Sequence, residues 1–156
     1  MIRRLGGFLR RRVAQGADRG GSVLRAGDRG GSAIEFLFLT PVMFFMIFGA
    51  VQFALYSFAE HVAKAAAQAG ARTARAQADA DPAGWRVAAE AKAHAYVTQL
   101  GPGLFTGPPD VVTSQPGAFT VRVEVEGKVP SIMPGMNLTV SAASEGPVER
   151  FVPDGG

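Results

Sequence analysis

FLFLTPVMFFMIFGAVQFALYSFA, residues 36–59, decides how the rest of the chain is read. These 24 residues carry no charge, and seven of the chain's 11 phenylalanines lie among them. As an α-helix rising 1.5 Å per residue, the stretch spans about 36 Å, more than the roughly 30 Å hydrocarbon core of a bilayer. Thr40, Gln52, Tyr56 and Ser57 are only mildly polar. Pro41 near the start is tolerated in a membrane helix. A buried core helix is the competing reading. A chain of 156 residues has length for one small domain, little in which to enclose such a run. The stretch therefore predicts a transmembrane helix.

Upstream, residues 1–30 hold eight arginines against Asp18 and Asp28, a net +6. This glycine-rich segment shows no sustained apolar periodicity and reads as a flexible leader. In the 30 residues after Glu60 only Lys64, Arg72, Arg75 and Arg86 are basic. The asymmetry puts the N-terminus in the cytoplasm and the C-terminal region across the membrane. It also accounts for the pI of about 9.8 without a nucleic-acid partner. Residues 31–156 hold eight basic and 11 acidic residues, a net −3. A basic segment beside a span is read as topology and lipid contact, so no nucleic acid is expected.

The absence of cysteine excludes disulfide scaffolds, zinc ribbons, iron–sulfur sites and cysteine nucleophiles. His61 and His94, the only imidazoles, read as solvated or interfacial. There is no nucleophile motif, phosphate-binding glycine loop or pair of carboxylates in a plausible pocket. An enzyme is not expected, nor is a cofactor or metal.

Downstream, His61 to Ala80 is dominated by alanine, the best helix former, so the membrane helix is expected to continue to about residue 78. Glu60 and Lys64 have i,i+4 spacing. Ala66 with Gly70, and Ala67 with Ala71, place small residues four apart. Such spacing admits a close helix partner, or reflects helix propensity alone. Asp81-Pro82 predicts a helix start, with aspartate as N-cap and proline at N1. Trp85, Ala89, Ala93, Tyr96 and Leu100 form its core stripe, and Gly101-Pro102-Gly103 its end. Val111-Val112 is a short candidate strand. Phe119, Val121, Val123 and Val125 alternate with Thr120, Arg122, Glu124 and Glu126 as a half-buried strand. Lys128–Gly135, with Pro130 and Pro134, reads as a connection before a strand from Met136 to Ala142, with Met136, Leu138 and Val140 on one face and Asn137, Thr139 and Ser141 on the other. Asn137-Leu138-Thr139 matches a glycosylation sequon by pattern only.

The chain is thus divided into a basic cytoplasmic leader (1–30), a transmembrane helix (31–60, including Phe36, Pro41, Gly49 and Ala59) and an extramembrane helix extension (61–80). A second helix and turn (81–103) and a small β-rich C-terminal region (104–156) follow. The fold class is α+β.

At the mouth of the apolar run stands DRGGSAIEF, residues 28–36, with the lone carboxylate Glu35. An ionisable residue at a membrane segment is a functional candidate by default. Ser32-Ala33-Ile34-Glu35 also fits a capping box, with Ser32 as N-cap and Glu35 at N3. The whole pattern is a basic leader, glycine, four residues, Glu-Phe, then a long apolar helix. It resembles the processing site of type IV-like prepilins. Arg29-Gly30-Gly31-Ser32-Ala33-Ile34-Glu35-Phe36, with the proline-containing run behind it, most resembles the TadE-like family of tight-adherence (Tad, Flp) pilus systems. Gln68-Ala69-Gly70-Ala71-Arg72-Thr73-Ala74-Arg75 resembles that family's segment after the membrane helix.

The resemblance implies a type IV pilin-like fold and a bacterial cytoplasmic-membrane protein acting as a minor pilin or pseudopilin. It implies cleavage between Gly30 and Gly31 by a prepilin peptidase, leaving Glu35 as the fifth residue and Phe36 next. Its implied partners are the lipid bilayer, that peptidase, other pilins or pseudopilins, and assembly-platform proteins. Asp18-Arg19-Gly20-Gly21-Ser22 duplicates the motif, but a cut there would put Arg25 at the fifth position with no apolar run behind it. The main alternative is a signal-anchored single-pass protein with a small extracytoplasmic binding domain. A cleavable secretory signal is disfavoured, because 24 apolar residues exceed the usual apolar region of such signals.

Overall fold

A computed structural model describes residues 27–150, with side chains from Ser32 onward. Most of the expected leader, residues 1–26, lies outside the described residues. The elements run α1 (Gly27–Gln77), α2 (Trp85–Leu100), β1 (Asp110–Gly117), β2 (Thr120–Val129) and β3 (Leu138–Pro147). The fold is α+β: a long N-terminal apolar helix, a second helix and a three-stranded antiparallel sheet. The chain divides into two units, Met1–Phe45 and Met46–Gly156.

In the first unit the described structure is the start of α1. Its apolar side chains face outward: Phe36, Phe38 and Phe45 are each about 70% exposed (70%, 73% and 69%). Pro41 lies inside the helix. Its ring cannot donate to the carbonyl four residues back, and the adjacent Thr40 hydroxyl donates to the Phe36 carbonyl at 2.6 Å.

In the second unit, helices cover one face of a sheet ordered β1-β2-β3. Alternation along β2 turns Val121, Val123, Val125 and Val129 inward. Outward, Arg122 pairs with Glu124 at 3.2 Å, and the Ser141 hydroxyl donates to Glu124 at 3.0 Å. The register pairs Val125 with Val111 and with Ala142, placing the three strands' inner residues side by side. One core cluster joins Val62, Ala63, Ala66 and Ala67 of α1 to Ala93 and Val97 of α2 and to Val125 and Val140 of the sheet. A second joins Ala71 and Ala74 to Trp85, Ala89, Val121 and Val123.

The small residues of α1 have a packing role within this chain. A Cβ added at Gly70 would lie 3.0 Å from the Ala89 carbonyl oxygen, 3.1 Å from Val123 Cγ1 and 3.3 Å from Ala93 Cβ. The close partner admitted by the four-residue spacing is therefore α2 and the sheet. Past the end of β3, the chain returns to α1: Glu149 N–H donates to the Arg75 carbonyl at 2.9 Å, and Arg75 approaches Glu149 at 3.8 Å.

Several sequence expectations shift by a turn or a residue. α1 ends at Gln77, close to the expected residue 78, and Lys64 pairs with Glu60. Regular α2 starts at Trp85, not Pro82, yet Asp81 still caps the preceding turn: its carboxylate accepts from Gly84 N–H at 2.9 Å. The buried stripe of α2 is Trp85, Ala89, Ala93 and Val97. Leu100 is 47% exposed, because strict four-residue steps from Trp85 reach Val97. β1 is longer than Val111-Val112. Phe119 is no core residue: it sits in the β1–β2 turn, exposed beneath the Arg150 guanidinium. Met136 is likewise exposed, since β3 begins at Leu138.

Candidate functional site

α1 carries the candidate site at its N-terminal end. Gly30 and Gly31 are helical there, because α1 begins at Gly27. Each glycine costs about 1 kcal/mol relative to alanine in a helix, but no proline interrupts the segment before Pro41. Ser32 consequently lies inside the helix, and the expected N-cap at Ser32 is not realised in the uncut chain. Glu35 and Phe36 are consecutive exposed residues, so the carboxylate stands at the head of a lipid-like surface. No ion pair to Glu35 occurs among the described side chains.

That surface is large. Among the described residues, fifteen exposed large apolar side chains lie between Ile34 and Phe58. Soluble monomers rarely expose contiguous apolar patches beyond a few hundred Å². The helix has an 18-residue window of mean hydropathy 2.1, none of it buried. A soluble core helix would be covered by its own protein, and this stretch is not. A Cβ at Gly49 would meet nothing within 4 Å.

The apolar run nevertheless changes character before its end. Ala59, expected within the span, is fully buried in the protein core. Gln52 is 5% exposed. Its Nε2 donates to the Pro130 carbonyl at 3.2 Å, and its Oε1 accepts from Ile132 N–H at 2.8 Å. This tether between α1 and the β2–β3 connection was not anticipated from sequence. Its only sequence signal is a lone amide in a charge-free run.

Elsewhere the described residues offer little chemistry. They contain no group of three metal-ligating side chains. His61 and His94 are exposed on different helices. Of the arginines in the Gln68–Arg75 segment, Arg72 is exposed and Arg75 lies against Gly146, whose added Cβ would meet Arg75 Cδ at 2.7 Å.

No curated protein and no solved structure matches the chain. A family match does exist, and it falls on the segment just described. Residues 30–72, from the glycine before the proposed cut through the small-residue part of α1, match the family described as TadE-like protein. Residues 30–72 of this chain are thus similar to the TadE-like family.

Proposed function

We propose that the chain is a minor pilin or pseudopilin of a Tad-type pilus or related secretion system, held in the bacterial cytoplasmic membrane by α1. One observation carries this reading: the TadE-like match begins at Gly30 and covers an exposed apolar helix headed by Glu35. The basic leader stays in the cytoplasm and the sheet-bearing unit lies outside. A prepilin peptidase cuts between Gly30 and Gly31. The cut removes eight arginines and leaves a product of net charge −3.

The cut also changes the physical chemistry of the helix end. Gly31 becomes the first residue and carries a new α-amine. Ser32 moves from the helix interior to its first turn, and Glu35 lies near the N-terminus, where the helix dipole favours a negative charge. In an assembled bundle, Glu35 of one subunit pairs with the Gly31 amine of a neighbour. Pairing offsets the cost of either charge in apolar surroundings, and only one axial offset between subunits satisfies both. The partners are the bilayer, the peptidase, other pilins and the assembly platform.

Glu35→Ala and Glu35→Gln test this role. Both are expected to reach the membrane but to be lost from pili sheared from the cell surface. Unchanged processing and unchanged incorporation of Glu35→Ala would refute it. A plain signal anchor would tolerate both substitutions.

A further inference from the structure

We propose that the β2–β3 connection, residues 130–137, is a second membrane contact, resting its apolar side chains in the headgroup–acyl boundary beside the point where α1 leaves the bilayer. The inference rests on the transmembrane reading of α1 above.

The connection has the composition for such a place. Pro130 to Asn137 carries no charge. Ile132 is 47% exposed and Met136 43% exposed, with Met133 half-buried between them. Its position along α1 is set by Gln52, which holds both the Pro130 carbonyl and the Ile132 N–H. Within the second unit, Met46, Ile47 and Val51 on the N-terminal side of Gln52 are exposed, whereas Ala59, Val62 and Ala63 on the other side are buried by the protein. The tether therefore sits where protein cover of α1 begins: Gln52 is its first buried residue among those described, while Phe53 and Phe58 keep the helix's other side apolar and exposed.

The backbone is prepared for a poorly hydrated site, where an unpaired polar group is costly. Pro130 and Pro134 have no N–H to satisfy. The Ser131 hydroxyl accepts from Met133 N–H at 3.1 Å and donates to the Met133 carbonyl at 2.9 Å. Gly135, with φ of +84°, closes the turn that brings Met136 N–H to the same carbonyl at 3.4 Å. Gln52, Ser131 and the loop itself thus meet the Pro130 and Met133 carbonyls and the Ile132, Met133 and Met136 N–H groups.

Length agrees. A spanning helix needs about 20 residues, and counting back that many from Val51 reaches Ser32, immediately after Gly31. A hydrocarbon boundary near Val51 and Gln52 therefore leaves a span of sufficient length and puts the connection at its level.

The chain has no cysteine, so single cysteines report cleanly. Phe45→Cys, Ile132→Cys and Val112→Cys, each carrying an environment-sensitive fluorophore, are placed in full-length protein in phosphatidylcholine nanodiscs. Val112 is exposed on β1 and serves as the aqueous reference. The probe at 132 is expected to show blue-shifted emission and to be quenched by doxyl-labelled lipid, not by iodide. Iodide quenching at 132 equal to that at 112, with 45 protected by lipid, overturns the membrane contact and leaves the span intact. A probe at 132 shielded from both quenchers indicates a contact between copies and overturns it as well. Iodide access at 45 refutes the transmembrane reading itself.

Discussion

Replacing Gly70 by valine tests the closest approach in the second unit. A first added carbon already lies 3.0 Å from the Ala89 carbonyl oxygen, 3.1 Å from Val123 Cγ1 and 3.3 Å from Ala93 Cβ. The neighbours are α2 backbone and fully buried core, so none can swing aside. Leaving glycine returns roughly 0.3–0.5 kcal/mol of helix propensity. Overpacking a filled core costs about 1–3 kcal/mol, and two further carbons beyond a tight first one place this site at the upper end. The net loss is about 2–3 kcal/mol. For a domain near 100 residues, that lowers the melting temperature by roughly 10 °C or more. Trp85, the sole tryptophan and only 2% exposed, reports the transition by its fluorescence in detergent-solubilised protein. Gly49→Val is the control, since a Cβ there meets nothing within 4 Å. It should leave the transition within about 2 °C of the parent. A Gly70→Val protein as stable as the parent, or an equal loss from Gly49→Val, would refute the packing argument.

Three other perturbations follow from the geometry. Gln52→Leu removes both bonds to the β2–β3 connection and leaves the part-buried Pro130 carbonyl and Ile132 N–H without that partner, so the loss is about 1–3 kcal/mol. Hydrogen exchange at the Ile132 amide should accelerate, and an unchanged rate would show that the tether is not made. Gly127→Ala would put a carbon 2.4 Å from Phe105 Cδ1, displacing the ring at a cost of about 1–2 kcal/mol. Combining it with Phe105→Ala should give less than the sum of the single losses, and strict additivity would contradict the contact. Asp79→Ala breaks the pair with Arg150, whose side chains are 51% and 57% exposed. Thermal unfolding should move by less than about 1 kcal/mol, as for other exposed pairs; a larger loss would mean that the C-terminal return to α1 depends on it.

The long helix, the second helix and the central strand were legible because each has a clean period or composition. Twenty-four uncharged residues, an alanine run and alternating valines admit few other readings. The boundary between uncovered and protein-covered apolar residues was not legible. Ala59 and Phe53 are equally uncharged, yet the first is fully buried and the second 73% exposed, and only tertiary contact separates them. The same holds for Phe119, whose alternation with Thr120 matches a strand while its place at the hairpin turn leaves it outside. On α2, steps of three and four through Tyr96 to Leu100 fit the helical period as well as the four-residue step to Val97, and only tertiary contact selects Val97. At the candidate site, Glu35 and Phe36 are picked out by pattern alone, and the structure adds that both are exposed. The Ser32 cap failed because the helix runs back through Gly30 and Gly31 to Gly27 in the uncut chain.

The central claim is that this helix belongs to a processed pilin subunit, and the N-terminus of the membrane-extracted protein tests it most directly. Intact-mass and N-terminal sequence analysis is made on protein from cells with and without a prepilin peptidase. The account predicts Gly31 as the first residue when the peptidase is present and Met1 when it is absent. Met1 under both conditions, or a start near residue 66 in either, would contradict it.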